Sequence, residues 1–149
     1  MKNKPIYPPT YLLVAIITIL VLHFVLPVAK IVPVPWNLSG ILLLIGGAAI
    51  NVLAVNQFHR VNTPVKPFEE STALVTSGPY RLTRNPMYLG FTLILIGVAL
   101  LCSSLIPFFV AALFAILMDR KFIAREEMIL ARKFGAEWQV YQAKTRRWI

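Results

Sequence analysis

Three long stretches of the chain contain no charged side chain, and they set the expected fold. They run from residue 5 to 29, from 31 to 59 and from 85 to 118. A charge at the centre of a membrane helix costs roughly 2.5–3.5 kcal/mol, and a span needs about 20 mostly apolar residues. The first two stretches therefore predict one membrane helix each, over residues 11–26 and 38–57. Prolines bound the first helix, and Trp36-Asn37 opens the second.

The third stretch is too long to be one membrane helix. As a continuous helix its 34 residues would measure about 51 Å, against a hydrocarbon core of about 30 Å. We therefore expect a helical hairpin over residues 88–102 and 105–121, with Arg120 and Lys121 reaching the interface. The alternative is a re-entrant pair that leaves the membrane on the side where it entered. Residues 1–149 then form a single all-α, polytopic membrane domain with about four transmembrane helices and a helical tail.

The distribution of basic residues predicts the orientation of these spans. With four spans, both termini and the loop over residues 58–87 share one side, which receives 14 of the 15 Lys and Arg residues; only Lys30 lies opposite. The positive-inside rule places the larger group in the cytoplasm. We therefore expect an integral protein of a cell inner membrane, with both termini and the polar face cytoplasmic.

Composition narrows the possible functions. Hydrophobic residues make up 58% of the chain and charged residues 14%, whereas soluble domains carry about 25% charged residues. The net charge of +9 in so apolar a chain indicates contact with membrane lipids and no nucleic-acid partner. One cysteine and two histidines exclude an internal disulfide and favour no metal site. We interpret His23 and Asn51, inside the predicted spans, as structural residues that hydrogen-bond between helices.

Two polar segments carry the candidate chemistry. The first, residues 72–90, holds two arginines, two tyrosines, two prolines and two glycines just before the hairpin. Arg81 and Arg84 offer fixed donors to an anionic group, or they are a basic flank with aromatic anchors. The second is Glu126-Glu127, whose side chains lie about 100° apart on a helix. One can face a site while the other pairs with a nearby cation: Arg120, Arg125 or Lys133. The alternative is a solvated helix face.

In their order and spacing these segments resemble a known family. The pieces are Leu-Val-Thr-Ser-Gly-Pro-Tyr, Arg-Asn-Pro-Met-Tyr-Leu-Gly, a hairpin, Glu-Glu, and Lys-Phe-Gly-Ala-Glu-Trp-x-x-Tyr. Together they resemble the isoprenylcysteine carboxyl methyltransferase family, which is grouped with the phospholipid methyltransferases, over roughly residues 63–148. The family consists of integral membrane enzymes that use S-adenosylmethionine without a Rossmann domain.

The resemblance implies a cofactor pocket at the cytoplasmic membrane face, between the loop before the hairpin and the helix after it. The implied S-adenosylmethionine-binding residues are Thr72, Ala73, Leu74, Val75, Tyr80, Arg84, Asn85, Pro86, Met87, Tyr88 and Glu126. Because the two ends of a hairpin meet at one membrane face, we expect Tyr88 and Glu126 to lie close together. The implied reaction is methyl transfer to a lipid-like or prenylcysteine-like carboxylate, and no catalytic residue is assigned.

Two positions depart from the family pattern. Asn85 stands where the family has a histidine, and an amide cannot carry the proton of an imidazole. Phe122 stands where the enzymes acting on prenylated cysteine have a substrate-binding arginine. Arg120 and Arg125 are the candidates to bind the substrate in its place. These departures favour the methyltransferase class over the isoprenylcysteine substrate.

Three other functions remain open at this point. A phospholipid N-methyltransferase shares the scaffold and most of the motifs. A membrane sterol-type reductase has a related Arg-His-Pro-x-Tyr region and a nicotinamide cofactor, but such chains are longer. A small membrane protein without enzymatic activity would bind no cofactor.

Overall fold

The fold consists of five α-helices in the part of the chain that the computed structural model describes, residues 7–26, 30–65 and 71–149. They are α1 (Pro8–Val25), α2 (Gly40–Arg60), α3 (Pro86–Cys102), α4 (Leu105–Met118) and α5 (Ala124–Lys144). Within those ranges extended backbone pairs only in isolated bridges. The predicted all-α class is therefore confirmed.

Helix boundaries follow from local sequence. Proline occupies the first turn of both α1 and α3, where its missing N–H leaves no hydrogen bond unmade. Ser103 ends α3 in the left-handed conformation, with φ 56°, and α4 begins at Leu105, so the predicted hairpin is confirmed. Two helical segments, Pro8–Val25 and Trp36–Arg60, are long and apolar enough to cross a membrane. The crossings by α3 and α4 stay a prediction.

The hairpin runs into α5 without a break. A π-helical turn over Asp119–Ile123 joins α4 to α5. The α-helix that was expected over residues 105–121 therefore ends earlier, at Met118. Phe122 and Ile123 in this turn are buried. α5 has a kink at Gly135, which has φ 47° and ψ −112°, and helix resumes after it. Only glycine adopts such a conformation readily.

Two pairs of glycines bring α2 and α3 into direct contact. A Cβ atom on Gly40 would lie 2.4 Å from the carbonyl oxygen of Gly97, and one on Gly47 would lie 2.5 Å from that of Gly90. The helices are antiparallel, and each places its glycines seven residues apart, on one face. Small residues of this kind let membrane helices approach closely.

We expect Gly47→Ala to lower the free energy of unfolding by about 1–3 kcal/mol, because the added methyl group forces the two backbones apart. The matched control is Gly46→Ala, since a Cβ atom there has no neighbour within 4 Å. The control should be neutral or slightly stabilising. Unfolding of both variants in the same detergent measures the difference, and equal stabilities would contradict the glycine contact.

One cluster of the core lies where α1 packs against α3 and α4. Ile19, Leu95 and Met118 are fully buried there. The contacts that the structure describes for His23 and Asn51 differ from the interhelical hydrogen bonds expected of them. Buried Nδ1 of His23 has no hydrogen-bond partner among the described residues, and its ring packs edge-on against that of Phe24. Asn51 donates to the carbonyl of Gly47 in its own helix, at 2.9 Å.

Candidate active site

A cavity of about 630 Å³ lies at one end of the helix bundle. It is bounded by the beginning of α1, the end of α2, the loop before α3, the first turns of α3, and α5. Ligand sites in proteins typically measure about 300–1,000 Å³ and combine apolar walls with a few polar groups. This cavity has both properties, and it is where the hairpin brings its two ends together.

Ten of the eleven residues predicted to bind a cofactor line this cavity: Ala73, Leu74, Val75, Tyr80, Arg84, Asn85, Pro86, Met87, Tyr88 and Glu126. Thr72 is not among the lining residues. Its hydroxyl donates to the carbonyl of Asn62, and its main-chain N–H donates to the hydroxyl of Thr63 at 2.7 Å. The exposed residues Arg120 and Arg125 are also outside the lining.

The expected contact between Tyr88 and Glu126 is confirmed. The Tyr88 hydroxyl donates to Oε1 of Glu126 at 2.8 Å, across 38 residues of sequence. Burial raises the pKa of Glu126 to about 7; the nearby charge of Glu127 adds to this rise, and the hydrogen bond from Tyr88 opposes it. Near neutral pH, both the ionised and the neutral form of Glu126 are therefore populated.

Glu127 is held by two arginines that were not among its expected partners, Arg120, Arg125 or Lys133. Nε of Arg84 donates to Oε1 of Glu127 at 3.0 Å, and Arg147 donates to Oε2 through Nε and Nη2. The Arg84 and Glu127 side chains are 8% and 9% exposed. The partners differ from expectation because the chain returns across α5 after Lys144, which residue spacing within one helix cannot reveal.

The Arg84 side chain contacts several other groups of the protein. Besides Glu127, it donates through Nη1 to the carbonyls of Gln142 and Thr145. Its guanidinium carbon lies 5.8 Å from the centre of the Trp138 ring. These contacts show that Arg84, besides lining the cavity, joins α5 to the loop before α3. Its contact with a cofactor remains a prediction.

A short segment after α5, residues 145–148, lies along the loop before α3, and we call it the C-terminal strap. The main-chain N–H of Arg84 donates to the carbonyl of Arg146 at 2.9 Å. The Thr83 hydroxyl and Nδ2 of Asn85 both donate to the carbonyl of Arg147, each at 3.0 Å. Asn85, in the position of the family's histidine, thus uses its amide to fix the strap.

Phe122, where the resemblance places a substrate-binding arginine, belongs to the core. It is 2% exposed, and its ring lies 5.6 Å from that of Tyr11 and 6.3 Å from that of Tyr88. An aromatic ring supplies no donor to a carboxylate. None of the three positions 120, 122 and 125 therefore brings a cation to the cavity lining.

Sequence reasoning missed several lining residues. Residues 7–10 come from the beginning of α1, Asn51, Val55 and Phe58 come from α2, and Trp138 and Tyr141 come from α5. Trp138 and Tyr141 belong to the Trp-x-x-Tyr motif quoted above, and that motif could have indicated that they line the cavity. The Tyr141 hydroxyl donates to the carbonyl of Tyr80 at 2.7 Å. Burial raises the pKa of both phenols above the ordinary value, so both are neutral at physiological pH.

The chain is similar in sequence to known proteins. The sequence profile of the family described as phospholipid methyltransferase matches residues 36–137. A probable protein-S-isoprenylcysteine O-methyltransferase of Oryza sativa subsp. indica is 34% identical over 117 residues, covering 73% of this chain and 59% of the relative. Protein-S-isoprenylcysteine O-methyltransferase A of Arabidopsis thaliana is 33% identical over 107 residues, covering 68% and 53%.

A solved structure shares the fold. The eukaryotic intramembrane Ras methyltransferase, isoprenylcysteine carboxyl methyltransferase, superposes with a TM-score of 0.71 at 21% identity, covering 95% of this chain and 51% of that one. The chain thus spans little more than half the length of the relatives it matches. It belongs to the phospholipid methyltransferase family.

Proposed function

We propose that the chain is an S-adenosylmethionine-dependent methyltransferase that acts at the cytoplasmic membrane face on a lipid-like or prenylcysteine-like carboxylate. The observation that carries the proposal is the Tyr88–Glu126 pair in the wall of a cavity of about 630 Å³, at the end of a bundle of apolar helices. Family membership and the names of the plant relatives support it.

The chemistry of the cavity fits S-adenosylmethionine. This cofactor supplies an electrophilic methyl group on a sulfonium ion. Its positive charge and its ammonium and ribose hydroxyl donors suit the Glu126 carboxylate, and its adenine suits an apolar slot such as the one offered by Ala73, Leu74 and Val75. The Asn51 amide and the Tyr80 hydroxyl are further polar groups at the wall.

A carboxylate acceptor is already ionised at neutral pH and needs no base. The contribution of the protein is then to hold the acceptor in line with the methyl group and to exclude water. Trp138, Tyr141 and Phe91 form bulky parts of the wall that serve this end. Because Glu126 is assigned to the cofactor, no residue is proposed to move a proton.

A phospholipid N-methyltransferase is the second candidate, and a specific observation favours it. Phe122 is buried, and neither Arg120 nor Arg125 lines the cavity, so these three positions provide no cation for a substrate carboxylate. An ammonium headgroup needs no such cation, although it must lose a proton before methylation.

We propose the expected topology together with the activity: residues 1–149 form one domain, α1 to α4 span the membrane, and both termini are cytoplasmic. A reporter fused after Ile149 should therefore be active only as a cytoplasmic reporter, since 14 of the 15 basic residues lie on that side. A reporter fused between α1 and α2, at Lys30, is the matched control and should give the opposite result. Periplasmic or lumenal activity after Ile149 would refute the four-span arrangement.

The function is tested first at the level of class and then of substrate. Calorimetry of the purified protein in detergent should detect binding of S-adenosylmethionine and of S-adenosylhomocysteine. Absence of binding to well-folded protein would refute the methyltransferase proposal. Transfer of a labelled methyl group to prenylcysteine analogues would then support the carboxylate acceptor, and transfer to phosphatidylethanolamine vesicles would support the alternative.

A further inference from the structure

Four charged side chains form a compact network beside the candidate site, and two of them, Arg84 and Glu127, also line the cavity. Arg147 of the C-terminal strap donates to Glu127 of α5 through two nitrogens, and its Nη1 lies 3.5 Å from Oδ2 of Asp119 in the π-helical turn. Arg84 of the loop holds the other oxygen of Glu127. Trp148 donates to the other oxygen of Asp119 at 3.0 Å. The two carboxylates and two guanidinium groups together carry no net charge.

Both oxygens of Glu127 accept hydrogen bonds from arginines, whereas Oε1 of its neighbour Glu126 accepts one from the hydroxyl of Tyr88. The two carboxylates are adjacent in sequence, and the charge of Glu127 disfavours ionisation of Glu126. Any cationic group that compensates the negative charge of Glu127 therefore also favours the ionised form of Glu126. Arg84 and Arg147 are the two groups in position to do so.

We infer that Arg147 is a positioning residue of the proposed cofactor site: it compensates the charge of Glu127 from the C-terminal strap and so favours the ionised form of Glu126 for a cationic ligand. The inference rests on the proposed function for the identity of that ligand, S-adenosylmethionine. The electrostatic effect of Arg147 on Glu126 belongs to the ligand-free protein and can be measured there.

The titratable or charged groups of the cavity wall and of the network must be counted in any pH dependence of Glu126. From the start of α1, the loop, α3, the π-helical turn, α5 and the strap, they are Tyr7, Tyr80, Arg84, Tyr88, Asp119, Glu127, Tyr141 and Arg147. Burial raises the pKa of Tyr80 and Tyr141 above the ordinary value, and the carboxylate contacts raise the pKa of Arg147. Glu126, whose pKa is about 7, is thus the member expected to titrate near neutrality.

The test uses Arg147→Gln, which removes the charge and keeps hydrogen-bonding atoms, with Arg147→Lys as the charge-restoring variant. Arg146→Gln is the matched control, because Arg146 is exposed and the strap uses its main-chain carbonyl. Infrared difference spectra of the ligand-free protein follow the carboxyl band of Glu126, identified by its loss in Glu126→Gln. We expect Arg147→Gln to move the midpoint upward by about 0.5–1 pH unit, and Arg147→Lys to restore it.

Binding of S-adenosylmethionine is measured on the same proteins across the same pH range. We expect Arg147→Gln to weaken binding about two- to fivefold at pH 7, with affinities converging at higher pH where Glu126 is ionised in both proteins. An unmoved infrared midpoint, or an equal shift in Arg146→Gln, would overturn the inference. A shifted midpoint without any binding by the unaltered protein would instead refute the proposed cofactor and leave the role of Arg147 intact.

Discussion

Replacing Arg84 with alanine is expected to lower the free energy of unfolding by about 3–5 kcal/mol. Removing one member of a buried ion pair typically has this cost, because the other charge is left less well compensated. Glu127 then keeps only the bonds from Arg147, whose side chain is 40% exposed, among the contacts described above. The pair qualifies because the side chains of Arg84 and Glu127 are 8% and 9% exposed and Nε lies 3.0 Å from Oε1. The variant also loses the hydrogen bonds that Arg84 donates to the carbonyls of Gln142 and Thr145.

Unfolding in a fixed detergent measures this effect, with Arg81→Ala as the matched control. Arg81 lies three residues earlier in the same loop, and it is exposed, so its removal changes the net charge equally. The control should change stability by about 0.5 kcal/mol or less. A stable Arg84→Ala protein that no longer binds S-adenosylmethionine would show instead that Arg84 chiefly contacts the ligand.

Glu126→Gln is expected to weaken S-adenosylmethionine binding about 10-fold to 100-fold. A hydrogen bond to a charged group contributes roughly 1.5–3 kcal/mol, and each 1.4 kcal/mol corresponds to a factor of ten in affinity. The control is Glu137→Gln, the same change at an exposed position of α5. Titration calorimetry distinguishes the two variants, and equal affinities would place Glu126 outside the binding site.

The carboxyl group of Glu126 should make the affinity for S-adenosylmethionine depend on pH in a defined direction. The pKa of Glu126 is about 7, raised from 4.5, so the carboxyl loses its charge as pH falls through 7. Affinity for a cationic ligand should therefore decrease below pH 7, and this decrease should be absent in Glu126→Gln.

Stability of the ligand-free protein should respond in the opposite direction. A carboxyl whose pKa is higher in the folded than in the unfolded chain stabilises the fold most below the unfolded value, near 4.5. That contribution is lost as pH rises from 4.5 to about 7. Glu126→Gln should therefore be more stable than the unaltered protein above pH 7, even though it binds less well. Thermal unfolding at pH 5 and pH 8 measures this reversal.

The features that were predictable from sequence depend on composition and short-range geometry. The stretches without charged residues predicted the positions of α1, α2 and the hairpin. The third stretch is longer than one membrane span, which predicted a turn within it, and Ser103 forms that turn. Antiparallel packing of the hairpin then placed Tyr88 near Glu126. The motif residues before α3 line the cavity for the same reason, since they precede one arm of the hairpin.

The features that escaped prediction depend on contacts between distant segments. Nothing near Glu127 in sequence indicates Arg147 as its partner, because the strap reaches it only after the kink at Gly135 and the end of α5. The glycines of α2 and α3 look unremarkable in isolation and matter only as facing pairs. Thr72 was predicted to line the cavity but does not, because its polar atoms hydrogen-bond to Thr63 and Asn62 instead.

The glycine contact between α2 and α3 also limits the shape of molecule that the cavity can admit. The lining residues of α2 all lie beyond Gly47, and those of α3 end at Phe91, one residue past Gly90. Carbonyl oxygens and backbone meet at these glycines with no room for an added Cβ, so a hydrocarbon tail cannot pass along this seam. A long-chain molecule held in the cavity must extend in another direction, such as past residues 7–10 at the beginning of α1.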